Sequence, residues 1–256
     1  MARIISIVSG KGGVGKTTLA TNLAILFKKC FDKEVTILDC NFTTSHLNFY
    51  LGFYEVPNTL NDVLKGECEI EDATYVLPFG IRLVPTSLSL KKLIDVKVER
   101  LDEVVKRLSE FSDIVLLDSA PCLGKEALVT LQASQEILFV STPYLPSVAD
   151  VSRVSELARN LGIKTLGVVL NMVKGERFEL GDNEVEILLD GMPILAKLPY
   201  DKAVLKSLSM KLPTVIFDED SPFSLECKKL AYRLMGYEFE IKRKSSFFSR
   251  ILKFFR

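Results

Sequence analysis

The run SGKGGVGKTT, Ser9 to Thr18, places four glycines, two lysines and two threonines at a spacing that can do chemistry. From Gly10 to Thr17 it satisfies G-x-x-x-x-G-K-[ST], directly after the apolar run Ile4, Ile5, Ile7, Val8. A strand, a glycine turn and a helix start in that order make a loop that cradles phosphate. Gly10, Gly12, Gly13 and Gly15 let successive backbone N–H groups point inward where side chains would obstruct, and the cradle continues through Val14 and Thr18. A helix beginning near Lys16 adds its positive N-terminal dipole to the same anion. Lys16 is expected to reach the β- and γ-phosphates, and the Thr17 hydroxyl to ligate Mg²⁺. A glycine-rich strand-to-helix turn with no ligand is the plainer reading; eight matched positions in this context favour phosphate.

The elements that must hold this loop are legible as alternating apolar runs and amphipathic stretches. Buried strands are expected at 3–8, 35–39, 81–85, 114–118, 136–141, 165–171 and 193–198. Helical patterns lie near 17–30, 98–110, 124–134, 147–160, 202–209 and 222–235. Runs such as Ile114-Val115-Leu116-Leu117 are apolar without alternation, which implies burial on both faces. The expected fold is therefore α/β, a mostly parallel central sheet with helices on both faces and its ligands at the C-terminal strand ends.

The 256 residues suit one such domain with a short appendage, and nearly half of them are apolar. Formal charge is zero, so nucleic acid is not indicated as a partner by net attraction. The balance hides an asymmetry, because 242–256 carries Lys242, Arg243, Lys244, Arg250, Lys253 and Arg256 with no acid. Cys30, Cys40, Cys68, Cys122 and Cys227 are scattered without a C-x-x-C pair, as expected of thiols in a reducing cytosol. No apolar stretch approaches the span of a bilayer and no leader precedes the first strand, so a cytoplasmic protein is expected.

A second lysine in the loop, Lys11, has no packing role beside the glycines. With it the loop reads K-G-G-x-G-K-[ST] and resembles that of the deviant Walker-A ATPases, the family of MinD, ParA and the nitrogenase iron protein. The resemblance implies that Lys11 crosses a homodimer to the partner's ATP, so that two copies close over two nucleotides. It also implies roles for strand-end residues. Asp118, ending DIVLLD, matches the Walker-B acid that holds Mg²⁺ through water; a helix cap is its plainer role. Asp39, ending VTILD, resembles the first acid of switch I and is expected to support the Mg²⁺ shell. Asn171 in VVLNMV matches an asparagine that reads the adenine edge, which favours ATP. Pro199 and Asp201 in LPYDKAV match the loop beside the base, although Asn171 and Asp201 also suit ordinary turns. The segment DSAPCLGKEAL resembles archaeal MinD-like proteins.

Two switch positions depart from the family pattern. Asn41 stands where switch I has its second acid, and an amide orients water but cannot accept its proton. Cys122 stands where switch II has glycine, placing a Cβ near the backbone N–H that should meet the γ-phosphate. The expectation is ATP and Mg²⁺ binding with slow or absent hydrolysis. His46, the sole histidine, is assigned no role.

The last residues read SSFFSRILKFFR. On a helix, Phe247, Phe248, Ile251, Leu252, Phe254 and Phe255 fill one arc of roughly 160°, with Ser249, Arg250, Lys253 and Arg256 opposite. That composition suits a helix lying in an anionic membrane surface, as at the end of MinD proteins; a helix docked on the protein's own core is the bland alternative. The expected organisation is a nucleotide-binding domain at 1–236, a basic linker at 237–244 and a membrane-targeting helix at 245–256. The resemblance implies a dimerising switch, peripheral on the inner face of the cell membrane, that positions an unidentified protein partner. A nucleotide-binding scaffold without turnover and a ParA-like DNA-partitioning ATPase are the alternatives. An iron–sulfur carrier of the same fold would need paired cysteines, and none are suitably spaced.

Overall fold

The apolar runs form one eight-stranded sheet in a computed structural model that describes residues 2–43, 46–54, 56–121 and 124–239. Its strands are β1 (Arg3–Val8), β2 (Val35–Cys40), β3 (Tyr75–Val76), β4 (Arg82–Val84), β5 (Ile114–Ser119), β6 (Glu136–Ser141), β7 (Lys164–Val173) and β8 (Ile194–Pro199). They lie in the order β3-β4-β2-β5-β1-β6-β7-β8, all parallel except the antiparallel edge strand β3. The helices are α1 (Lys16–Phe31), α2 (Leu47–Tyr50), α3 (Leu60–Lys65), α4 (Leu101–Leu108), α5 (Lys125–Gln132), α6 (Leu145–Asn160), α7 (Asp182–Leu188), α8 (Lys202–Ser209), α9 (Thr214–Phe217) and α10 (Pro222–Leu234).

Alternate residues of the central strands enter opposite cores, which is why their sequence is continuously apolar. Ile5, Ile7, Ile37, Leu116 and Leu138 pack with Leu19, Leu23 and Phe27 of α1 and Phe223 and Leu230 of α10. Ile4, Leu38, Val115 and Leu117 face the other way, with Leu101 and Val105 of α4 and Val129 of α5. Further along the sheet, Ile137, Phe139 and Val168 meet Val148, Val151 and Val154 of α6.

The expected strands stand within two residues of their places. The expected helix at 98–110 is a 3-10 turn, Val98–Arg100, followed by the shorter α4. Helices α2, α3, α7 and α9 and strand β3 were not anticipated, since elements of two to seven residues are too short to show a period. Residues 237–239, assigned to the linker, lie on the body: Tyr237 stacks on Phe31 with centroids 5.6 Å apart, and Phe239 meets Tyr232 at 5.0 Å. The proposed amphipathic segment 245–256 and Cys122 lie outside the described residues.

Candidate nucleotide site

Strand β1 lies between β5 and β6, where the sheet's connections diverge to its two sides. Such a switch point leaves a crevice beyond the strand ends. The phosphate loop fills it and opens directly into α1. Gly15 is the N-cap of α1 with φ +95° and, having no side chain, leaves the helix without a side-chain cap. The first turn of α1 carries no acid either. Its leading N–H groups are therefore presented outward to an anion rather than spent on the chain. A Cβ on Gly15 would sit 2.2 Å from Nδ2 of Asn171, so its geometry and its neighbour both demand glycine. Gly10 is constrained differently, because a Cβ there would meet the backbone of Asp150 on α6 at 2.4 Å.

The two loop lysines differ sharply. Lys16 is buried and its ammonium donates to Ser9 Oγ at 2.9 Å. Ser9 Oγ in turn donates to the Lys11 carbonyl at 2.7 Å, so the loop is braced across its mouth. Lys11 itself is exposed. An open cavity of about 330 Å³ is lined by Gly12, Gly13, Gly15, Lys16, Thr17, Asn41, His46, Tyr50, Ser119 and Pro121.

Parallel register brings the acids together. Asp39 on β2 is the direct partner of Asp118 on β5, and Asp118 also pairs with Ile7 at the end of β1. The Thr17 hydroxyl donates to Asp118 Oδ2 at 2.6 Å, while Asp118 Oδ1 is buried without a hydrogen-bond partner. Burial pushes the Asp118 carboxyl up to about 7, and the neighbouring Asp39 adds to this against the Thr17 hydrogen bond and Lys16. Asp39 is held by the Asn41 N–H on Oδ1 and the Thr86 hydroxyl on Oδ2, both at 3.0 Å. A hydroxyl and two carboxylates are an oxygen donor set that suits Mg²⁺, and the orphaned Oδ1 is the atom such an ion would satisfy. Thr17, Asp118 and, behind them, Asp39 are the residues that fit it.

The residues expected at the base gather beside the first turn of α1. Thr18, Asn171, Met172, Pro199, Tyr200, Asp201, Val204, Leu205 and Phe223 line a small cavity of about 50 Å³, more apolar than the phosphate side. Asn171 is buried, donating from Nδ2 to the Val14 carbonyl at 2.8 Å and accepting the Met172 N–H on Oδ1 at 2.9 Å. An amide has two hydrogens and two lone pairs, so one of each stays available beyond these bonds. Met172, the next residue, sits at φ +60° where the β7–β8 register breaks. Asp201 uses its carboxylate to start two helices, accepting Ala203 N–H of α8 at 2.8 Å and Phe223 N–H of α10 at 3.2 Å. The structure thus assembles Lys16, Thr17, Asp39, Asn41 and Asp118 around one crevice and Asn171, Pro199 and Asp201 around an adjoining one.

Several site residues escaped the sequence reading. Ser9 braces Lys16 and was readable from its place beside the loop. Thr86, after β4, becomes a partner of Asp39 only because β4 lies beside β2. His46 and Tyr50 line the cavity through α2, which has no sequence signal. Among the described residues no group of three His, Cys, Asp or Glu side chains is placed to hold a metal, and no helix is long and apolar enough to cross a membrane.

Known proteins agree with this geometry. Residues 5–215 match the CobQ/CobB/MinD/ParA nucleotide binding domain. The chain is 35% identical over 256 residues to an uncharacterized ATP-binding protein of Methanocaldococcus jannaschii, covering 99% of this chain and 96% of that one. It is 29% identical over 245 residues to the septum site-determining protein MinD of Synechocystis, covering 93% and 91%. The solved septum site-determining protein MinD of Pyrococcus horikoshii, complexed with Mg-ADP, superposes with a TM-score of 0.87 at 30% identity, covering 91% of this chain and 96% of that one. The domain match over most of the chain and the likeness in sequence and fold show that the chain belongs to the MinD/ParA family of P-loop ATPases.

Proposed function

We propose that this protein is a MinD-like switch. It binds ATP with Mg²⁺, dimerises across the nucleotide through Lys11 and attaches to an anionic membrane surface through 245–256, positioning a partner protein such as a component of the division machinery. The observation that carries the nucleotide part is the uncapped N-terminus of α1 beside the Thr17–Asp118 bond and the orphaned Oδ1. The Mg-ADP held by the Pyrococcus relative supports the same ligand class. Exposed Lys11 beside buried Lys16 supports the dimer, since a cation on the rim is placed for a phosphate other than its own.

In this reading Lys16 and the α1 N–H groups bind the phosphates, and Thr17 and Asp118 orient the metal. Thr17 and Asp118 would hold Mg²⁺, whose positive charge would offset that of the phosphates. Asn41 faces the phosphate cavity and orients water through its amide without taking a proton. Positioning and electrostatics carry most of phosphoryl transfer, so turnover is slow rather than forbidden. The second reading, a nucleotide-binding scaffold, is favoured by Asn41. No feature of the described surface favours the DNA-partitioning alternative.

Phosphate release with anionic liposomes, together with size-exclusion chromatography with and without ATP, tests this, comparing wild type, Lys11→Ala and Asn41→Asp. Slow wild-type turnover, a several-fold gain in Asn41→Asp and loss of ATP-dependent dimers in Lys11→Ala are expected. Fast wild-type turnover that ignores residue 41 would refute the switch-I argument, and ATP-dependent dimers of Lys11→Ala would refute the sandwich.

A further inference from the structure

Switch I is tied to an element that the phosphate chemistry does not require. Oε2 of Glu126, in the first turn of α5, accepts the Phe42 N–H at 3.1 Å and lies 3.5 Å from the Thr43 hydroxyl. Asn41 is thereby bracketed. Its own N–H bonds Asp39 Oδ1 on β2, and the next N–H bonds Glu126 on α5. The Phe42 side chain, buried, packs in the same apolar cluster as Val129 and Ala133 at the end of α5. Asn41, Thr43, Ala120, Pro121, Gly124, Lys125 and Glu126 surround one cavity of about 320 Å³, which shares Asn41 and Pro121 with the phosphate cavity. The first switch, the segment after β5 and α5 therefore meet around a single space.

An acid in the first turn of a helix has an ordinary role, complementing the dipole of its own helix. Glu126 differs because its acceptor is spent on a backbone donor 84 residues earlier in the chain. We propose that Glu126 is a positioning residue that latches switch I to α5, so that the placement of the Asn41 amide follows the position of that helix. A contact that displaces α5, whose Lys125 and Leu128 are exposed, would then reach the water-orienting residue without touching nucleotide. The role given to Asn41 rests on the ATP reading above; the latch itself does not.

The test is NMR of the nucleotide-free full chain as wild type, Glu126→Ala and Glu126→Gln. In Glu126→Ala the Phe42 amide should exchange about tenfold faster, the loss expected for one hydrogen bond, and the Asn41 side-chain amide resonances should move. Glu126→Gln, whose amide oxygen still accepts, should keep both close to wild type. Exchange at Ile37 and Leu38 of β2 should be the same in all three. Unchanged Phe42 exchange in Glu126→Ala, equal acceleration along β2, or a Glu126→Gln that behaves like alanine would each overturn the latch. Calorimetric titration of wild type with MgATP is run beside it, so failure to bind nucleotide sinks the functional reading and leaves the exchange result to judge the latch.

Discussion

Asp118 stores an electrostatic cost in the nucleotide-free molecule, and Asp118→Asn should release it. The carboxyl is pushed from an ordinary 3.8 to about 7 by burial and by Asp39 alongside. Three pH units at 1.36 kcal/mol each make ionisation in the fold cost about 4 kcal/mol. The folded chain keeps a proton that the unfolded chain releases above its ordinary carboxylate range. Stability contributed by this group is therefore full below about pH 4, falls as pH rises, and is gone above the folded value near 7. Asparagine cannot ionise, and its carbonyl oxygen can still accept the Thr17 hydroxyl now held at 2.6 Å. Urea unfolding in EDTA should find the two proteins within about 1 kcal/mol of each other near pH 4.5 and the variant more stable by about 2–4 kcal/mol at pH 8. Adding MgATP at pH 8 should reverse the order, because only wild type gains the ion on its carboxylate. Parallel pH profiles of wild type and variant would refute the reasoning.

Three further outcomes follow from particular contacts. Gly15→Ala drives a Cβ to 2.2 Å from Asn171 Nδ2 at φ +95°, and should lose about 2 kcal/mol of stability by denaturation together with most nucleotide affinity by calorimetry. Asp201→Ala removes acceptors from the starts of α8 and α10, so unfolding without nucleotide should show a loss of about 2 kcal/mol. A chain ending at Phe239 should still bind ATP by calorimetry but stop pelleting with anionic liposomes, and equal pelleting would remove the tail from the mechanism.

Much of the scaffold was legible because buried parallel strands leave unbroken apolar runs. Ile114 to Leu117 could be read as a strand buried on both faces without knowing its neighbours. Helix α2 could not, since four residues have no period, and it carries His46 and Tyr50 to the cavity by tertiary packing alone. Tyr237 and Phe239 read as the start of a linker, yet their rings meet Phe31 and Tyr232, contacts that depend on how α1 and α10 are packed and that no local pattern announces.

By itself the sequence determined the phosphate loop, because glycine spacing and the start of a helix set backbone N–H directions within ten residues. Where the charges of the site stand was decided only by the tertiary structure. Asp39 meets Asp118 because β2 lies beside β5, Thr86 meets Asp39 because β4 lies beside β2, and Phe42 meets Glu126 because α5 covers that face. Strand order and register are global properties, arising from how the apolar faces pack together, and no local run of residues encodes which distant carboxylate becomes a neighbour.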